Sequence, residues 1–186
     1  NNGSFEQPDR TGINPAYSSG APTGWTLTAS TNYGVEEIRD NRFGVIGSEG
    51  SRLDALGGSG DQVVYMNLGS GSSSTATAES AVITSVQPDT TYRVTVAVGS
   101  RVSGDRSPDD SIGFSVAGTD LATPTLIDAS TLGAGFTDMS YDWTSPAAGD
   151  PLIGRDLRVI LRFSYASDLG GWQQAQIDHV RVAVNP

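Results

Sequence analysis

The chain has no cysteine, no lysine and a single histidine, His179. Without cysteine there is no disulfide framework and no thiol nucleophile. One imidazole cannot build a histidine-rich zinc site. The sequence also lacks an H-E-x-x-H motif, a G-x-S-x-G elbow, a P-loop and a dinucleotide fingerprint. No apolar run approaches the roughly 20 residues of a membrane-spanning helix. Positive charge is scarce: 11 arginines stand against 21 acidic residues, for a net charge of −10. A phosphate-binding face needs clustered positive charge, so nucleic-acid binding is disfavoured and no membrane partner is expected. An acidic surface instead favours solubility and attracts cations. The chain opens on Asn1 with no leader pattern. It reads as a mature or excised piece of a longer exported protein, extracellular or at the cell surface.

Glycine (23 residues), serine and threonine are abundant, and helix-period patterning is missing. The 186 residues suffice for one domain, 1–186, with a core of its own. Short alternating segments predict strands. In Asp61 to Leu68, Val63 and Tyr65 share one face while Val64, Met66 and Leu68 share the other, the pattern of a strand covered on both sides. In Thr91 to Val98, Tyr92, Val94, Val96 and Val98 point inward and Arg93 and Thr95 outward. In Asp156 to Phe163, Leu157, Val159, Leu161 and Phe163 point inward. Further strands are predicted at Trp25 to Ala29, Val35 to Arg39, Thr75 to Ser85, Ile112 to Ala117 and Met139 to Thr144. Gln87-Pro88-Asp89, Gly57-Gly58 and Gly170-Gly171 read as turns, and Gly69 to Ser74 as a hairpin loop. About nine or ten strands in two antiparallel sheets imply an all-β sandwich of jelly-roll type.

Two motifs mark the ends of the chain. N-G-S-F-E (Asn2 to Glu6) opens it, and Q-I-D-H-V-R-V (Gln176 to Val182) closes it. In the closing strand Asp178 falls in line with Val180, Val182 and Val184, a carboxylate on the core face that needs a partner. Strands at the two ends can pair or stack, which would bring Glu6 and Asp178 to one edge. Two convergent carboxylates repel unless a cation lies between them, and calcium suits that role. The alternative is that the two residues cap turns or bind arginine.

N-G-S-F-E, followed by a proline-containing loop and Gly24-Trp25, resembles the opening of carbohydrate-binding modules with the galactose-binding-like jelly-roll fold, and Ile177 to Val182 resembles their closing strand. The stretches Val64 to Gly69, Pro88 to Arg101 and Phe114 to Ala122 look like exported bacterial proteins of the same type. The resemblance implies a structural calcium held by Glu6 and Asp178, with the Ser4 carbonyl as a third ligand and Asp61 or Asp54 adding an oxygen. It implies a non-catalytic module that holds a larger polysaccharide-active enzyme or surface protein on a glycan. The alternative is a structural or adhesive domain without a sugar site.

Sugar sites pair flat rings with polar side chains at their edges. The candidate rings are Trp25, Tyr33, Tyr65, Trp143 and Trp172, with Trp25 the one that reads most as core. Trp172 follows Gly170-Gly171 and precedes Gln173, Gln174 and Gln176, hydrogen-bonding side chains placed to grip a polysaccharide or oligosaccharide. Arg101 and Arg106 could hold an acidic sugar, or neutralise the aspartates of their own loop. The module is expected to be a monomeric unit of a multidomain chain. Catalysis is not expected, since no nucleophile–base or acid–base constellation stands out.

Overall fold

The computed structural model describes residues 5, 17–29, 32–37, 62–69, 75–100, 111–121, 125–126, 135–164 and 173–186. Among them are thirteen strands and no helix. They are β1 (Tyr17–Ser19), β2 (Trp25–Ala29), β3 (Asn32–Glu37), β4 (Gln62–Gly69), β5 (Thr75–Ser80), β6 (Thr84–Ser85) and β7 (Thr91–Ser100). They continue as β8 (Ser111–Val116), β9 (Thr119–Asp120), β10 (Thr125–Leu126), β11 (Gly135–Thr144), β12 (Asp156–Ser164) and β13 (Gln173–Asn185). Six form one sheet in the order β1-β3-β4-β13-β7-β11. Seven form the other, in the order β10-β8-β12-β5-β2, with β6 beside β12 and β9 beside β8. All pairings are antiparallel. The chain crosses repeatedly between the sheets, from β4 to β5, β7 to β8 and β12 to β13. This is the predicted jelly-roll sandwich. Its strand count exceeds the prediction partly because β6, β9 and β10 are two-residue pieces too short to carry an alternating pattern.

The core lies between the sheets. Val64, Met66 and Leu68 of β4 and Tyr92, Val94, Val96 and Val98 of β7 meet Ile112, Phe114 and Val116 of β8 and Leu157, Val159, Leu161 and Phe163 of β12. Each such side chain contributes about 1.5–3 kcal/mol by leaving water. The alternation read from β4, β7 and β12 is therefore the alternation observed. At one end of the sandwich Ser145 ties the turn before β7 to the end of β11. Its hydroxyl accepts from Thr90 N–H (2.9 Å) and donates to the Gln87 carbonyl (2.6 Å). Gln87 N–H donates to the Tyr92 hydroxyl at 2.7 Å.

Two sequence expectations are corrected. Gly69 to Ser74 does not close a hairpin, because β4 lies in the six-stranded sheet and β5 in the seven-stranded one. Asp178 does not share a face with the valines that follow it. The pairing of β13 with β7 slips between Asp178 and Arg181: Asp178 lies opposite Ala97, yet Arg181 lies opposite Thr95. Three steps on β13 match two on β7, which is a β-bulge. His179, at the bulge, has φ 47°, in the left-handed region. The extra residue turns Val180 and Val182 onto the core while Asp178 points the other way.

Candidate functional site

Tyr65, Val63, Ala97 and Phe136 are buried hydrophobic residues that do not belong to the core cluster. The register explains why. Gly34, Tyr65, Gln176, Gly99 and Phe136 form one row across β3, β4, β13, β7 and β11. In the next row Asp178 lies opposite Ala97, which lies opposite Asp138. Side chains in a row share a face, and the core residues of the same strands occupy the alternate positions. This patch therefore lies on the outer face of the six-stranded sheet, turned away from the seven-stranded one.

The patch is dry. Gln176 and Asp178 are 0% exposed and Tyr65 is 3% exposed. Asn67, one row on from Tyr65, is also buried. An outer face carrying a carboxyl, a carboxamide, an amide and a phenol would ordinarily be wet, and its burial sets it apart. Gln176 and Asp178 are two residues apart on one strand face, about 7 Å along β13. The bulge at His179 lies immediately after Asp178, a common means of aiming a side chain at a functional site.

The other half of this face, toward the C-terminus of β13, is wet and internally paired. Arg93 grips Asp142 with two hydrogen bonds of 2.6 Å. The guanidinium holds the Asp142 carboxyl below its ordinary range, through the hydrogen bond first and charge attraction second. Thr95 and Ser140 share a hydrogen bond of 2.8 Å, and Thr91 and Thr144 one of 3.0 Å. Arg181 lies 2.5 Å from Asp138, an ion pair by distance without well-directed hydrogen-bond geometry. Arg93 with Asp142, Thr95 with Ser140 and Thr91 with Thr144 satisfy one another here, which leaves the dry half as the candidate site.

The predicted ligand rings do not converge. Tyr33 and Trp143 pack against the core and so lie on the inner side, opposite Tyr65. Trp143 stacks on Tyr92 with centroids 5.6 Å apart and leans on Phe114 at 6.4 Å. Trp25 sits against the buried Phe5 at 5.2 Å, in line with its reading as core. Gln174 occupies β13 opposite Asn67. Trp172, Arg101, Arg106, Glu6, Ser4, Asp54 and Asp61 lie outside the described residues. Among the described residues no three acidic or imidazole groups gather into a metal site. Ala97, Gly99 and Phe136 were not singled out from sequence. Small residues give no pattern signal, and Phe136 precedes the segment predicted as a strand.

A family of sequences described as HpiC1-like, HpiC1 cyclase, matches residues 1–183. No curated protein matches. Among solved structures, a cyclase from Fischerella sp. TAU in complex with 4-(1H-indol-3-yl)butan-2-one is similar, with TM-score 0.70 and 19% identity over 100% of this chain and 95% of that one. A Stig cyclase, Fisc, from the same organism, in complex with (3Z)-3-(1-methyl-2-pyrrolidinylidene)-3H-indole, gives TM-score 0.67 and 19% identity over the same shares. A structure of carbohydrate-binding modules from the β-sandwich superfamily gives TM-score 0.50 and 14% identity, over 88% of this chain and 58% of that one. At these identities structural likeness speaks for the fold alone.

The family match corrects the functional expectations. The chain is not a non-catalytic carbohydrate-binding module with a polysaccharide partner, nor a structural or adhesive domain, and the expectation that it is no enzyme is overturned. Carbohydrate-binding modules share the sandwich fold with this chain, and a shared fold does not carry a function. The calcium ligand set and the exported-module setting drew support from that resemblance and lose it. Matched over nearly its whole length, the chain belongs to the HpiC1-like cyclase family.

Proposed function

We propose that this protein closes a ring in a small, largely apolar substrate on the outer face of its six-stranded sheet, with Asp178 as proton donor. The observation that carries this reading is a carboxyl group withdrawn from water on the sheet face away from the core, aimed there by a bulge. A carboxyl in a dry site is the kind of acid that can hold its proton at neutral pH.

Ring closure without change of composition needs a proton to enter and a proton to leave. Asp178 gives its proton to an electron-rich carbon of the substrate. The electron pair of a second double bond in the same molecule attacks the cation, and a new C–C bond forms. Loss of a proton to the carboxylate then restores the double bond and the acid. The Tyr65 ring stands in the adjacent row, where an aromatic face stabilises positive charge. Val63, Ala97 and Phe136 exclude water that would capture the cation. The ligands of the two Fischerella structures, both indole-bearing, support a planar aromatic substrate.

The test is Asp178→Asn against a panel of small alkene-bearing indoles, with products of unchanged mass followed by chromatography. Turnover is expected to fall by about 10²–10⁴-fold, while binding of 4-(1H-indol-3-yl)butan-2-one stays close to that of the parent. Turnover that survives the substitution refutes the assignment.

A further inference from the structure

We propose a second ligand site, on the outer face of the seven-stranded sheet, where a pocket takes a small hydroxylated carboxylate on Arg162. It shares no strand with the Asp178 patch and does not rest on the cyclase reading.

The pocket measures about 230 Å³ and is lined by Thr75 and Thr77 of β5, Ser111 of β8, and Arg162 and Ser164 of β12. Strand register brings these five together. Arg162 lies opposite Thr77 on one side and Ser111 on the other, and Ser164 lies opposite Thr75. Directly opposed side chains stand about 4.5–5.5 Å apart at Cβ. Their neighbours along the strands, Ala76, Ile112, Leu161 and Phe163, belong to the core, so alternation turns all five outward. Ala76 and Phe163 complete the lining. The volume falls below the roughly 300–1,000 Å³ of a drug-sized site, so the ligand is small.

The lining brings one guanidinium and four hydroxyls and no carboxylate, in a chain with 21 acidic residues. Two carboxylates on the same sheet are engaged. Asp120 pairs with Nη1 of Arg162, and Glu79, the next outward residue on β5 after Thr77, accepts from the Ser115 hydroxyl at 2.7 Å. The Asp120 pair is solvent-exposed, with side chains 42% and 44% accessible, and such a pair holds weakly. A guanidinium carries five N–H donors in a planar fork. With Asp120 on Nη1, the edge of Nε and Nη2 is left to take a second carboxylate through two parallel bonds. On the other sheet Thr91 with Thr144 and Thr95 with Ser140 bond each other. The hydroxyls of Thr75, Thr77 and Ser111, in contrast, bond no described side chain. A hydroxyl both donates and accepts, which matches hydroxyls on the ligand. The net charge of −10 disfavours a multiply charged ligand, so a monocarboxylate is selected over a phosphate.

The experiment is an NMR amide-shift titration of the intact protein with glycerate. Propionate serves as the analogue without hydroxyls, and inorganic phosphate as the rival anion. Glycerate is expected to shift the amides of Thr77 and Arg162 saturably and to leave that of Asp178 in place. Propionate is expected to bind about fivefold more weakly. Arg162→Gln is expected to weaken glycerate by at least about tenfold. Arg162→Lys, which keeps the charge without the fork, is expected to weaken it less. Asp120→Asn removes the competing carboxylate and is expected to tighten glycerate by about twofold to fivefold; it reports even if the variants at Arg162 do not fold. No saturable shift at Thr77 and Arg162, or glycerate binding unmoved by Arg162→Gln or by Asp120→Asn, overturns the site. Propionate binding as tightly as glycerate overturns the role of the hydroxyls, and phosphate binding more tightly overturns the carboxylate class. The turnover test of Asp178 stands apart from every one of these outcomes.

Discussion

His179 offers a direct test of how the fold aims its acid. Its φ of 47° places a non-glycine residue in the left-handed region, inside the longest strand of the sheet. That conformation costs an L-residue about 1–2 kcal/mol. Glycine takes it freely, yet glycine in a strand costs about 0.5–1 kcal/mol in chain entropy. His179→Gly should therefore leave stability unchanged or raise it by up to about 1.5 kcal/mol, and His179→Asn should change it in the same direction, because asparagine tolerates this region. His179→Val should do the opposite. A β-branched residue resists the left-handed region, so the variant either holds the bulge at a cost of about 2 kcal/mol or more, or loses it. Losing it shifts the alternation by one, so that either Asp178 turns into the core or Val180 and Val182 turn out of it. Urea denaturation reads the stabilities, and a change of 1 kcal/mol corresponds to about 2–4 °C in melting temperature for a chain of this size. Turnover reads the aim of Asp178: retained in the glycine variant, lost in the valine variant. A valine variant as stable and as active as the parent would refute the reasoning.

Two further outcomes follow from the side chains around the site. Trp143→Ala removes a half-buried ring stacked on Tyr92 and Phe114. It should cost about 2–3 kcal/mol, somewhat less than a fully buried tryptophan, while the dissociation constant of 4-(1H-indol-3-yl)butan-2-one stays unchanged. A weakened dissociation constant at unchanged stability would return Trp143 to the ligand site. The Arg93–Asp142 pair is solvent-exposed, and the Asp142 carboxyl is held below its ordinary range. A carboxyl lowered in the folded state adds stability above the ordinary carboxylate range and loses it as pH falls through the lowered value. The denaturation midpoints of the parent and Asp142→Asn should therefore differ slightly at neutral pH and converge in acid, with added salt shrinking the neutral-pH difference; a gap that widens in acid would contradict the sign.

Most of the sandwich was legible because its core faces obey a period of two. Val64, Met66 and Leu68, Tyr92 through Val98 and Leu157 through Phe163 alternate without interruption, and all lie between the sheets. The site was partly visible in β4, whose Val63 and Tyr65 signal that the outer face is covered too. It then disappeared at two points, for two physical reasons. At Asp178 the period fails, because one extra residue at His179 reverses the alternation, and a bulge formed without glycine leaves little trace in sequence. At Ala97 and Gly99 the row crosses β7 through small residues, which carry no pattern signal of their own. The end motifs misled for a related reason. Q-I-D-H-V was read as a clamp because its carboxylate seemed to face the core and to need an ion. Once the bulge turns Asp178 outward, the same buried carboxyl lies on the face of Tyr65 and Gln176, away from the core.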